Sequence, residues 1–162
     1  HQYYNPDVIT FHDDWGTQRS GFFSNEMSPE HLMPATSRYL KFVKDQGKFI
    51  ELHSCGRNMQ YVPEMLEMGI DMWTPQANAN DPDFLHNTYG KQMTFCFPVN
   101  IGADWDEKQI RAAIRDYVDH FGENGRMMAW IMTETPDPVK EEIARDELYH
   151  YSLEYYNKLY HR

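Results

Sequence analysis

The stretch Lys48-Phe49-Ile50-Glu51-Leu52-His53-Ser54-Cys55-Gly56 decides how the chain is read. It begins as a short, mostly apolar strand and ends in polar, reactive side chains that a purely structural strand end does not need. Gly56 then lets the backbone turn sharply. The same grammar recurs upstream, where Asp7-Val8-Ile9-Thr10-Phe11-His12 stops in His12-Asp13-Asp14-Trp15-Gly16. Ser28-Pro29-Glu30 starts the helix between them, with Ser28 as N-cap, Leu32, Tyr39, Leu40 and Val43 at helical spacing, and Gly47 as the stop.

Downstream the pattern repeats. A helix over 59–68 closes at Gly69, and 70–74 is a short third strand. Asp81-Pro82-Asp83 caps a brief helix ending near Gly90, before the strand Met93-Thr94-Phe95-Cys96-Phe97-Pro98. Asp104 with Glu107 reads as a capping box for the helix carrying Ile110, Ile114, Val118 and Phe121. A fifth strand spans 126–131, and Asp137-Pro138 opens a last, Tyr-rich helix.

Strands alternating with helices over short connections give an α/β fold with a parallel sheet and right-handed crossovers. Two architectures fit. One is the C-terminal portion of a (β/α)8 TIM barrel, with about five βα units. The other is a five-stranded doubly wound sheet. The internal-looking opening His1-Gln2-Tyr3-Tyr4-Asn5-Pro6 favours the partial barrel. So does the last helix, where Tyr149, Tyr151, Tyr155, Tyr156 and Tyr160 exceed what one face can bury, implying a missing N-terminal half or a homodimer. No linker divides 1–162, which reads as a single domain.

At 162 residues and 41% hydrophobic, the chain can bury a real core. A formal charge of −10 argues against nucleic acid or an anionic membrane surface as the main partner. No apolar run approaches transmembrane length. Cys55 and Cys96 are the two cysteines, too few for a disulfide framework, and the expected location is cytoplasmic.

Polar residues collect where strands end: His12-Asp13-Asp14, His53 with Cys55, Thr74 with Gln76, Asn100, and Thr133-Glu134. The carboxyl ends of parallel strands share one rim, so these groups converge. His53 and Cys55, two apart, point to one side, and imidazole plus thiolate suits Zn2+ with Glu134 as third ligand. The alternative is a small buried Cys beside a His bound to a carbonyl. Asp13 and Asp14 are candidates for proton transfer, metal ligation or substrate anchoring; an Asx turn explains one of them equally well. Gln18, Arg19, Gln76 and Asn100 complete the candidate substrate-binding set, with Arg19 able to clamp a carboxylate or simply face solvent.

The order Asp-Val-Ile-Thr-Phe-His-Asp-Asp-Trp-Gly-Thr-Gln, then Ser-Pro-Glu, then Leu-His-Ser-Cys-Gly, resembles the C-terminal part of the uroporphyrinogen decarboxylase superfamily. The resemblance runs from Asp7 to about the last helix and is nearest the zinc- and corrinoid-dependent methyltransferase branch. It implies a (β/α)8 barrel whose first strands are absent. It also implies zinc on His53 and Cys55, which match that branch's His-x-Cys. The branch's second, distant Cys is replaced by Met132-Thr133-Glu134, which puts Glu134 in its place. The implied function is corrinoid-dependent methyl transfer or demethylation, assisted by Zn2+. A small-molecule methyl donor or acceptor, and a corrinoid held by a partner protein or arriving free, would complete it. The alternatives are a decarboxylase-like lyase, for which Arg19 and Arg57 are few arginines, and a non-catalytic binding homologue.

Overall fold

A computed structural model describes residues 4–161; the opening His1-Gln2-Tyr3 lies outside the described residues. The elements run β1 (Val8–His12), α1 (Met33–Asp45), β2 (Phe49–Ser54), α2 (Val62–Glu67), β3 (Met72–Pro75), α3 (Pro82–Tyr89), β4 (Thr94–Ile101), α4 (Glu107–Phe121), β5 (Met127–Thr133) and α5 (Pro138–Tyr160). The fold is α/β, and the strands form one sheet in the order β1-β2-β3-β4-β5. A doubly wound sheet reverses its strand order at a switch point. Here the order never reverses, as in consecutive βα units of a barrel. Among the described residues no helix is long and apolar enough to cross a membrane.

The chain divides into two compact units, the first ending at Cys96 and the second beginning at Phe97, with β4 passing from one to the other. In the first unit the parallel register is continuous: Thr10 pairs with Glu51, Phe11 with Leu52 and His12 with His53, while Leu52 pairs with Trp73 and Trp73 with Phe95. Side chains at paired positions share a face of the sheet. One face therefore carries Ile50, Leu52, Trp73 and Phe95, all buried with Leu40, Met65 and Leu85 of the helices. The other face carries Thr10, His12, Glu51, His53 and Thr74. That face also bears Val8, Phe49 and Met72, and it holds the candidate site residues of these strands.

Helix ends in this unit follow the sequence signals with one exception. Asp81 caps α3 by accepting from the Phe84 N–H, and Gly47 and Gly69 take the left-handed conformation that closes α1 and α2. Ser28 is not an N-cap. The Ser24 carbonyl already accepts the N–H groups of Met27 and Ser28, so the chain is turning before Ser28 is reached. Residues Ser28–Leu32 form a π-helical turn leading into α1, and the Ser28 side chain is buried.

In the second unit α4 buries Ile110, Ile114, Tyr117 and Val118, and the Tyr117 hydroxyl donates to the Met128 carbonyl at 2.6 Å, with the Phe97 carbonyl farther off at 3.2 Å. Its capping box is Asp106 with Gln109, not Asp104 with Glu107. The Trp105 N–H bonds back to the Gly102 carbonyl, which absorbs Asp104 into a turn and delays the helix. Asp137 caps α5 as expected, accepting from Val139 and Lys140.

Candidate metal centre

The parallel register sets His12, His53 and Thr74 side by side near the carboxyl ends of β1, β2 and β3. The His12 and His53 ring centroids are 5.0 Å apart. Cys55, two residues past His53, returns to the same side, with Sγ 3.3 Å from His53 Nε2. Asp14 enters from the loop after β1, and its Oδ1 accepts the Cys55 backbone N–H at 2.8 Å. The ligand atoms of Asp14, His53 and Cys55 lie within 4.8 Å of one another. Among the described residues no other three His, Cys, Asp or Glu side chains are so grouped.

One nitrogen, one sulfur and one oxygen make a donor set that suits Zn2+, leaving a fourth tetrahedral position open. Burial is the largest influence on the Cys55 thiol and pushes its pKa up; the charge of Asp14 and a hydrogen bond to it push the same way. A thiol beside a carboxylate is a poor free nucleophile. A cation between the two groups would reverse that, because a coordinated thiol loses its proton.

The loop holding this geometry is tightly specified. Gly56 has φ +97°, and a Cβ there would sit 2.3 Å from the carbonyl carbon and oxygen of Gly16. Only glycine permits so close a backbone crossing in that conformation. Trp15 is buried, its N–H donating to Ser54 Oγ at 3.0 Å, while Asn58 Nδ2 donates to Ser54 Oγ and to the Cys55 carbonyl. Asn80 closes the ring from the next strand–helix connection. Its Nδ2 donates to the Gly56 and Gln76 carbonyls, and its Oδ1 accepts from Asn58 and Met59.

The candidates read from the sequence separate into groups. Asp14 joins His53 and Cys55. Asp13 turns away to accept from the indole N–H of Trp15 at 3.0 Å, and its own N–H extends the strand ladder to the His53 carbonyl. Gln76 accepts from the Gly56 N–H at 2.9 Å, so its carbonyl oxygen supports the loop. Gln18 and Arg19 are exposed at the tip of the turn that Thr17 and Ser20 close. Asn100 and Glu134 belong to the second unit, where they line a cleft of about 440 Å³ with Trp105 and Met132. Glu134 there accepts the Ala103 N–H at 3.0 Å. Sequence reading missed Ser54, Asn58 and Asn80, whose work is to fix backbone rather than to touch a ligand.

No family model matches the chain, and no curated protein matches it. Among solved structures that do match is a methyltransferase from Methanosarcina mazei, with a TM-score of 0.59 and 15% identity. The likeness covers 93% of this chain and 42% of that one, so this chain spans less than half the neighbour's length. At that identity the likeness is one of fold.

Two outcomes follow from the loop and the thiol. Gly56→Ala should cost more than about 3 kcal/mol, since backbone strain adds to a backbone clash. Gly47→Ala, at φ +71° with nothing within 4 Å of the added Cβ, should cost only about 1 kcal/mol; urea unfolding compares them. In metal-free protein, alkylation of Cys55 should need higher pH than an ordinary thiol, because a raised pKa keeps the proton on. Asp14→Asn should speed that alkylation at pH 8 by removing a charge that holds the pKa up, as mass spectrometry of the labelled peptide would report.

Proposed function

We propose that this chain carries the metal centre of a zinc-assisted methyltransferase acting in corrinoid-dependent methyl transfer or demethylation. The observation that carries the reading is the convergence of Asp14, His53 and Cys55 on one point at the polar strand ends. The fold likeness to a methyltransferase and the motif resemblance agree with it. Asp14 is the third ligand in this reading, in place of Glu134. The sheet is taken as an arc of a larger (β/α)8 barrel, completed by further strands or a second copy; exposed Trp130 and Met132 on β5 are apolar surface that such a completion would cover.

Zinc, when bound, supplies a Lewis acid that activates an acceptor thiol or polarises the leaving heteroatom of a methyl donor. The chain's own residues do the rest. His53 and Cys55 are held in register by β2, and the Gly56 crossing keeps Cys55 from swinging away. Asp14 spends Oδ1 on the Cys55 N–H, which leaves Oδ2 for the metal, and the proton displaced from the acceptor passes to solvent. The electron pair of the acceptor then forms the new bond to the methyl carbon, and the old carbon–donor bond leaves its pair on the donor. Asp13, tied to Trp15, positions the loop that presents Asp14.

Elemental analysis tests this directly. The protein as purified, or after dialysis against Zn2+, should hold about one zinc per chain, with the sulfur, nitrogen and oxygen donors of a catalytic site. Cys55→Ala should lose it, and Asp14→Ala should weaken it. Asp13→Ala should keep its zinc but lose about 1.5–3 kcal/mol of stability, the worth of a hydrogen bond to a charged group. The zinc-loaded protein should methylate a thiol from methylcobalamin, and Cys55→Ala should not. No zinc in the parent, or equal zinc in Cys55→Ala, sinks the reading.

A further inference from the structure

Of the three donors, Cys55 has the least to hold it. His53 lies inside β2 and is paired on both sides, with His12 and with Thr74. Cys55 lies past the end of β2, beyond the strand ladder. What fixes it comes from a third place, the connection between β3 and α3.

Asn80 in that connection is buried, and its side chain is saturated. Nδ2 donates to the Gly56 and Gln76 carbonyls, each at 2.9 Å, while Oδ1 accepts the N–H groups of Asn58 at 2.9 Å and Met59 at 3.0 Å. A primary amide has two N–H donors and two acceptor positions, so nothing is left over. An asparagine at a helix start ordinarily serves that helix. Asn80 stands next to Asp81, the cap of α3, yet none of these bonds goes to α3. All but one cross to the loop after β2.

Gln76 works beside it, accepting the Gly56 N–H at 2.9 Å. Both peptide groups of Gly56 are therefore gripped by the β3–α3 connection, while its Cα is pressed against Gly16. Cys55 is the residue before. Its own N–H goes to Asp14, and its carbonyl accepts from Asn58 Nδ2. It cannot shift unless Gly56 and Asn58 are released.

We propose that Gln76 and Asn80 are positioning residues for the centre: acting through Gly56 and Asn58, they set where the Cys55 sulfur stands and so how tightly the metal is held. The link to metal affinity rests on the metal-centre reading, while the hold on Cys55 rests on the hydrogen bonds alone. Partners outside the ligand shell commonly govern metal affinity in this way.

Two readouts test the proposal, one of them without metal. In metal-free protein, native-state amide exchange of Cys55 reports its bond to Asp14, which neither residue makes. Asn80→Ala and Gln76→Ala should each speed that exchange. Zinc affinity, measured by competition with a chromophoric chelator, should fall by about 10–100-fold in both. Co2+ bound in place of zinc should lose intensity in its thiolate charge-transfer band. Gln76→Glu keeps an oxygen for the Gly56 N–H and should return Cys55 exchange to the parent rate. Tyr117→Phe removes a hydrogen bond in the second unit and should move neither readout, whatever stability it loses. Circular dichroism checks that each variant is folded; should Asn80→Ala fail, Gln76→Ala and its Glu rescue decide. Parent-like Cys55 exchange or parent-like zinc affinity in a folded Ala variant overturns that residue's role, and equal changes in Tyr117→Phe overturn both. In a parent that takes up neither zinc nor Co2+, Cys55 exchange that still responds to Gln76 and Asn80 would keep their hold on Cys55 and overturn the metal centre instead.

Discussion

The candidate centre depends on one backbone crossing. Gly56 passes so near Gly16 that a methyl group at Gly56 would overlap the Gly16 carbonyl. That contact joins the loop after β1 to the loop after β2, and Asp14 comes from the first while Cys55 comes from the second. The hydrogen bond from Cys55 N–H to Asp14 and the contact from Arg57 N–H to the Thr17 carbonyl at 2.8 Å are made across the same junction. With the loops apart, His53 and Cys55 would remain neighbours along the strand, but no third donor would reach them. Two ligands hold zinc poorly; a third changes the chemistry.

A carboxylate in the third place has consequences. Oxygen is a harder and less polarisable donor than sulfur, so a site with one thiolate favours zinc less strongly than one with two. Asp14 brings a negative charge that would partly neutralise the cation, and without the cation burial and then the same charge hold the Cys55 pKa up. The centre is therefore coupled to pH on both sides. Metal uptake must displace a proton from Cys55, and acid opposes it. Asn58 and Asn80 work around this centre without joining it, satisfying the backbone groups of a loop that would otherwise bury unpaired carbonyls and N–H groups.

Most of the architecture was legible in the sequence because its signals are local. Apolar runs marked the strands, and Gly47, Gly69, Asp81 and Asp137 marked helix ends through backbone conformation or capping that each residue carries by itself. Ser28 and Asp104 misled because a competing turn lay next to them, and a cap is claimed by whichever turn closes first. His53 and Cys55 were readable as a pair since strand alternation fixes their common side. Their third partner was not: Asp14 is 41 residues from Cys55 along the chain, and only the crossing of the two loops brings it in.

X-ray absorption at the zinc edge of the reconstituted protein tests the account most directly, because it counts donors at the metal. The account predicts one sulfur at about 2.3 Å and the remaining ligands nitrogen or oxygen at about 2.0–2.2 Å, with the sulfur shell gone in Cys55→Ser. A shell of nitrogen and oxygen alone, or two sulfurs, would contradict a centre built from Asp14, His53 and Cys55.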